Sequence, residues 1–186
     1  MNGLRRLIQS FFQGSGPGSV DNGYRAKIFR GRRPLNDEIF DFLRSRIEGE
    51  WLDIGTNVGV LLQEVAQGVG VEASSSLVKV CQEKGLKVVQ ASACELPFES
   101  NQFQTVVLSC VLEQIADWRL ALTEAIRVCR PGGKVIGFNP IPEVTRWGKK
   151  GGWVKSVIPE SDLKSWNASF DYSIEGKYFF EITKVT

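Results

Sequence analysis

Two carboxylates and a small-residue loop carry the chemistry this chain could perform. Asp53 lies near the end of a short apolar run, Trp51-Leu52-Asp53-Ile54, and Gly55-Thr56-Asn57-Val58-Gly59 follows at once. Val60, Leu61, Leu62, Val65 and Ala66 then recur three and four apart, the spacing of a buried helix face. A strand that turns through glycines into a helix sets backbone N–H groups beside the first turn and lets a ligand approach the main chain. Glu72, 17 residues after Gly55, ends the next short run, Gly70-Val71-Glu72. There it supplies a bidentate acceptor at a neighbouring strand tip, as in nucleotide-binding folds generally. The ligand's charge follows from Asp53. A dinucleotide site uses G-x-G-x-x-G, whereas this loop has glycines only at 55 and 59, and a carboxylate at 53 repels phosphate. A cationic ligand suits it. The alternative is a strand-to-helix turn that binds nothing.

These residues resemble the first motif of the class I S-adenosylmethionine-dependent methyltransferases, an acidic residue followed by Gly-x-Gly-x-Gly. Asn57 stands at the middle glycine, an exchange that suits the non-glycine residue most ready to take positive φ. In this resemblance Glu72 takes both ribose hydroxyls of the methyl donor. Ala91-Ser92-Ala93-Cys94-Glu95-Leu96-Pro97-Phe98 is similar to the family's Gly-Asp-Ala-x-x-Leu-Pro-Phe, with Ser92 at the acid that meets the adenine amino group and the Ala93 N–H toward the ring nitrogen. Asn101 to Ser109 resembles Ser-Phe-Asp-x-Val-x-x-Ser with Gln104 at the acid. Leu112-Glu113-Gln114-Ile115 resembles Leu-Glu-His-Ile, and Arg127-Val128-Cys129-Arg130-Pro131-Gly132-Gly133 resembles Arg-Val-Leu-x-Pro-Gly-Gly. The resemblance covers residues 48–139 by motif, and the type is that of the ubiquinone and menaquinone biosynthesis enzymes. It implies S-adenosylmethionine as cofactor, held by Asp53, Gly55, Thr56, Asn57, Gly59, Glu72, Ala73, Ser92, Ala93 and Ser109.

The elements that must position these residues follow from pattern. Leu35, Ile39, Phe40, Leu43 and Ile47 predict a helix leading into the first strand, with Asn36 and Asp37 at its start. Ser74-Ser75-Ser76 caps a helix from Leu77 to Lys84, stopped by Gly85. Strands are expected at 86–90, 101–109 and 134–138, with a helix over 118–129 and Pro131-Gly132-Gly133 as its stop and turn. Asn139-Pro140-Ile141-Pro142 reads as a loop, 161–166 as a short helix, and 168–174 with 177–185 as an antiparallel hairpin around Glu175-Gly176. The fold class is therefore α/β with a mostly parallel sheet and helices on both faces. The resemblance makes it a Rossmann-like sheet of seven strands with an antiparallel end. Two regions are expected: a basic helix and flexible cap segment over 1–34, and the Rossmann-like domain over 35–186.

Composition narrows the chemistry. The 186 residues, 42% hydrophobic and 24% charged with a net charge of +2, are those of an ordinary globular domain. The chain has no histidine, so Ser-His and Cys-His arrangements and imidazole bases are excluded. Cys81, Cys94, Cys110 and Cys129 form no C-x-x-C pair, so neither a metal site nor a disulfide framework is expected, and reduced thiols in the cytoplasm are. No apolar run approaches the length that spans a bilayer.

Basic residues cluster. Arg5, Arg6, Arg25, Lys27, Arg30, Arg32 and Arg33 face a single acid, Asp21, over residues 1–35. Arg146, Lys149, Lys150 and Lys155 lie around Trp147 and Trp153. Leu4, Ile8, Phe11 and Phe12 form either a helix packed on the domain or an interfacial one, joined to the rest by the flexible 14–19. The expected acceptor is accordingly small and anionic, with RNA less favoured, and Tyr24, Glu113, Arg146, Lys149 and Lys150 are its candidate contacts. Should the acceptor need a base, Glu113, Asp117 and Tyr24 are available; none is assigned as catalytic. Two rival readings stand beside the enzyme. The replacements at Asn57, Ser92, Gln104 and Gln114 allow a donor-binding pseudo-enzyme or regulatory subunit, and the sheet allows a nicotinamide oxidoreductase.

Overall fold

In the computed structural model, residues 37–140, 155–156, 158–174 and 177–185 are described. The element order is α1 (Asp37–Arg44), β1 (Trp51–Ile54), α2 (Val60–Glu64), β2 (Gly68–Glu72), α3 (Ser75–Glu83), β3 (Val88–Gln90), β4 (Phe103–Ser109), a 3-10 turn (Leu112–Gln114), α4 (Trp118–Val128), β5 (Cys129–Pro140), α5 (Glu160–Lys164), β6 (Ser169–Ile174) and β7 (Lys177–Thr183). The strands form one seven-stranded sheet in the order β3-β2-β1-β4-β5-β7-β6. Pairing is parallel from β3 through β5 and antiparallel at β5–β7 and β7–β6. The α/β class, the seven strands and the closing hairpin are all as expected.

Each strand serves two cores, because successive side chains point to opposite faces of a sheet. Leu52, Ile54, Val71, Val106, Leu108 and Val135 join α4 residues such as Ala121 and Leu122 in one cluster. Trp51, Val107, Ile136, Phe138 and Phe179 join Ile39, Phe40, Phe42 and Leu43 of α1 in the other. Phe42 stacks on Phe179 with ring centroids 4.3 Å apart, tying α1 to the antiparallel end of the sheet. The central strands are apolar on both faces for this reason.

Several boundaries differ from the sequence reading, two of them by three residues or more. α1 ends at Arg44, three residues short of Ile47. Strand β5 starts at Cys129 and runs to Pro140, so the Pro-Gly-Gly segment and Asn139 belong to the sheet. The cause is pairing. Phe103 faces Cys129 across a register shift, and Asn139 faces Tyr178 of β7. Neither partner is visible to a local reading.

Sheet and helix lock together through Arg127 at the end of α4. Its Nε and Nη2 donate to the two oxygens of Glu124, at 2.6 and 2.9 Å, while Nη1 and Nη2 donate to Phe98 O and Leu96 O. Leu96 N donates in turn to Glu124 Oε2 at 2.8 Å. This bidentate pair holds the Leu-Pro-Phe segment after β3 against α4. Packing is tight at Gly137, where an added Cβ would fall within 2.8 Å of Phe180 and closer still to Leu108 O. Gly137→Ala should lower stability by about 1–3 kcal/mol, the usual range for overpacking, checked by urea unfolding.

Candidate functional site

The register brings the two carboxylates together. Asp53 pairs with Gly70 of β2 and Val107 of β4, so Glu72 and Ser109 each lie two residues beyond Asp53's partner. By alternation all three side chains share the face of Trp51 and Val107, in a row across three neighbouring strand tips. Their sequence separations would suggest no such contact.

The loop beneath them has the geometry its residue types dictate. Gly55, Asn57 and Gly59 have φ of 74, 55 and 73°, so the asparagine takes the left-handed conformation that the middle glycine of the motif would take. The loop's amides, however, do not await a ligand. Gly55 N and Thr56 N donate to Val71 O at 2.8 and 3.0 Å, Gly59 N donates to Thr56 O, and Asn57 N donates to Glu72 Oε2 at 3.0 Å. The carbonyls are held as well: Lys84 Nζ donates to Val58 O at 2.7 Å and Cys81 Sγ to Asn57 O at 3.2 Å. This corrects the expectation of ligand-facing N–H groups. The backbone is spent on shaping the loop.

Side-chain oxygens are what the site offers. Asn57 Oδ1 and Ser109 Oγ are buried and make no hydrogen bond in the structure, and the buried Thr56 hydroxyl lies beside Asp53. A buried polar atom left so costs about 1–3 kcal/mol. Two at one sheet edge suit a polar ligand. Glu72 accepts from Asn57 N and, through its other oxygen, from Ser74 N at 3.0 Å. A carboxylate can accept about four hydrogen bonds, so two amides fix its orientation without exhausting it. Asp53 is 4% exposed. Burial pushes its carboxyl from 3.8 up to about 6; the Thr56 hydroxyl beside it opposes the rise and the Glu72 charge adds to it.

The remaining predicted residues are placed as follows. Pairing of Glu72 with Gln90 sets Ser92 and Ala93 just past the tip of β3, on the same edge, and Ala73 lies exposed after Glu72. Ser92 is exposed, and its hydroxyl accepts from Cys94 N at 3.1 Å, holding the turn. Ser74 caps α3 by accepting from Leu77 N, as expected from the serine run. Asp117 caps α4, its Oδ1 accepting from Leu120 N, a structural role for a residue considered as a base. Glu113 is 1% exposed, under the turn that follows β4. Gln104 sits at the amino end of β4, at the opposite edge from the site. Tyr24, Arg146, Lys149 and Lys150 lie outside the described residues.

A second polar group was missed. Tyr178 Oη donates to Ile158 O at 2.6 Å and lies 3.2 Å from Asn139 Nδ2. The phenol's one hydrogen is committed to Ile158, so Asn139 must present its NH₂ there and turn its oxygen away. That Oδ1 is unpartnered in a side chain with no exposure. Burial raises the Tyr178 phenol well above its ordinary value, Asn139 opposes this, and the charge of Glu113 adds to it. The sequence signal was present in Asn139 but reads as a loop until β7 is seen beside it.

Among the described residues no group of His, Cys, Asp and Glu side chains could hold a metal ion, and no helix is long and apolar enough to cross a membrane.

Titration of Asp53 gives a directional test. With its carboxyl raised, the folded ligand-free protein holds a proton that the unfolded chain releases, so this group's contribution to stability falls as pH rises from about 4 through 6. A cationic ligand selects the ionised form. Its affinity should rise with pH through about 6, with up to one proton released on binding at pH 5, measured by calorimetry in buffers of different ionisation enthalpy.

The family described as Methyltransferase domain matches residues 52–137. An uncharacterized protein of Methanocaldococcus jannaschii is 32% identical over 89 residues, 48% of this chain and 43% of that one. The demethylmenaquinone methyltransferase of Staphylococcus carnosus is 36% identical over 73 residues, covering 37% of this chain and 30% of its own length. The chain thus spans less than half the length of these curated relatives. Among solved structures, a putative S-adenosyl-L-methionine-dependent methyltransferase from Methanococcus maripaludis superposes with a TM-score of 0.68 at 14% identity, over 92% of this chain and 97% of that one. The seven-stranded sheet with its antiparallel end is the fold of such structures, and residues 52–137 match the family described as Methyltransferase domain.

Proposed function

We propose that the chain is a methyltransferase that transfers the methyl group of S-adenosylmethionine directly to a small anionic acceptor. The observation that carries this reading is the row of Asp53, Glu72 and Ser109 above a left-handed loop, with the buried Asn57 Oδ1 and Ser109 Oγ lacking partners. These groups fit the donor by chemistry. Asp53 suits the ammonium of its amino-acid end, Glu72 its ribose hydroxyls, and the Ser92–Ala93 turn its adenine. When bound, the donor supplies a methyl group on a positively charged sulfur. The protein's part is then to align the acceptor with that carbon and exclude water, which suffices for an amine or thiolate.

The acceptor's charge is read from Arg146, Lys149 and Lys150, and one contact supports their relevance. Lys155 N and Ser156 N both donate to Glu113 O, at 2.9 and 3.0 Å, so the residues that follow this basic stretch are fastened beside the tip of β4.

The pseudo-enzyme reading is not favoured. Asn57 adopts the conformation the motif needs, Gln104 is remote from the site, and Ser92 and Gln114 are both hydrogen-bonded into the turns they occupy. A nicotinamide cofactor fits poorly beside Asp53.

Calorimetric titration of the donor and of S-adenosylhomocysteine tests the cofactor. Asp53→Ala and Glu72→Ala should each weaken binding by about tenfold to a hundredfold, the weight of one hydrogen bond to a charged group. Unchanged affinity in the double variant would end the proposal. For the acceptor, cell extract incubated with protein and donor should show a gain of about 14 dalton, one methylene, on an anionic small molecule. Replacing Arg146, Lys149 and Lys150 together should cut that turnover while leaving donor affinity intact; equal turnover would refute an anionic acceptor.

A further inference from the structure

The turn after β4 is held in a conformation its own residues resist. Cys110 has φ of 51°, in the left-handed region that side chains other than Asn, Asp and His seldom enter. Gln114 holds it there. Its Nε2 donates to Cys110 O at 2.7 Å and its backbone N donates to Val111 O at 3.0 Å, closing the turn on itself. Cys110 N donates to Phe138 O at 3.0 Å, which ties the turn to β5.

This turn reaches the donor loop. Val111 packs so closely on Gly55 that a Cβ there would lie 2.5 Å from Val111 Cγ2. Ser109, with its unpartnered buried hydroxyl, is the residue immediately before Cys110. The orientation of Cys110 therefore decides two things at once: where Ser109 meets the row with Asp53 and Glu72, and how Val111 sits on the glycine loop.

We propose that Gln114 is a positioning residue for the donor site: by holding Cys110 left-handed it seats Val111 on Gly55 and keeps Ser109 in the row of polar strand tips. This rests on the reading of that edge as the S-adenosylmethionine site. It also gives a function to the residue at the motif's histidine position. An imidazole there is not needed for chemistry if the side chain's task is to donate one hydrogen bond to a backbone carbonyl.

A glycine at 110 separates this role from a merely structural one, because glycine enters the left-handed region without help. The full chain and its Gln114→Ala, Cys110→Gly and doubly substituted variants would be titrated with S-adenosylhomocysteine and melted in parallel. Gln114→Ala should weaken binding about tenfold, the scale of one hydrogen bond. Cys110→Gly in that background should restore affinity to within about twofold of the parent. If Gln114→Ala fails to fold, the doubly substituted chain still decides the matter, since it should fold and bind. Gln114→Ala binding as tightly as the parent, with only its melting temperature lowered, would overturn the proposal, as would a doubly substituted chain that binds no better than Gln114→Ala. If the parent itself does not bind S-adenosylhomocysteine, the donor-site reading fails and this role with it. If the parent binds and Gln114→Ala is unaffected, only the role of Gln114 is lost.

Discussion

Everything at the working edge of this molecule depends on two carboxylates placed side by side on one face of the sheet and only partly compensated. Asp53 is buried and feels the charge of Glu72, so the pair holds electrostatic stress that a positive charge beside it would relieve. Water cannot easily relieve it, because Asp53 is sealed among the strand tips. The same stress explains why the surrounding backbone is so fully bonded. A loop with most of its amides and carbonyls engaged resists rearranging to shield the charges.

The loop achieves this with few residues. Val71 O takes two amides, Glu72 takes a third, and α3 reaches back through Lys84 and Cys81 to hold two carbonyls. Glu72 thus orients the loop through Asn57 N, and in the proposed function it also presents its carboxylate to the donor. Lys84 adds positive charge behind the loop.

Across the sheet, α4 performs a similar service for the segment after β3. Arg127 and Glu124 clamp Leu96 and Phe98, and this fixes the turn in which Ser92 and Ala93 sit. The turn after β4 completes the edge, with Glu113 beneath it receiving the amides of Lys155 and Ser156. Two connections are therefore fastened to the scaffold by side chains, and the third by backbone hydrogen bonds. Rigid elements placing loop-borne groups is the usual division of labour in α/β folds.

The sequence by itself determined the class of fold and the identity of the carboxylates, because both are written in local pattern. Apolar runs of strand length alternate with helical spacing, glycines flank a single asparagine, and Glu72 stands one strand further on. It determined the capping serine and the closing hairpin for the same reason. What only the tertiary structure decided was pairing and orientation. The register set Asp53, Glu72 and Ser109 on one face, and the partnership with β7 drew Asn139 into the sheet and opposite Tyr178. The clamp of Gln114 on a left-handed Cys110 and the engagement of the loop amides by Val71 and Glu72 were equally invisible. These are contacts between segments distant in sequence or conformations imposed against local preference, and no propensity of a single residue encodes either.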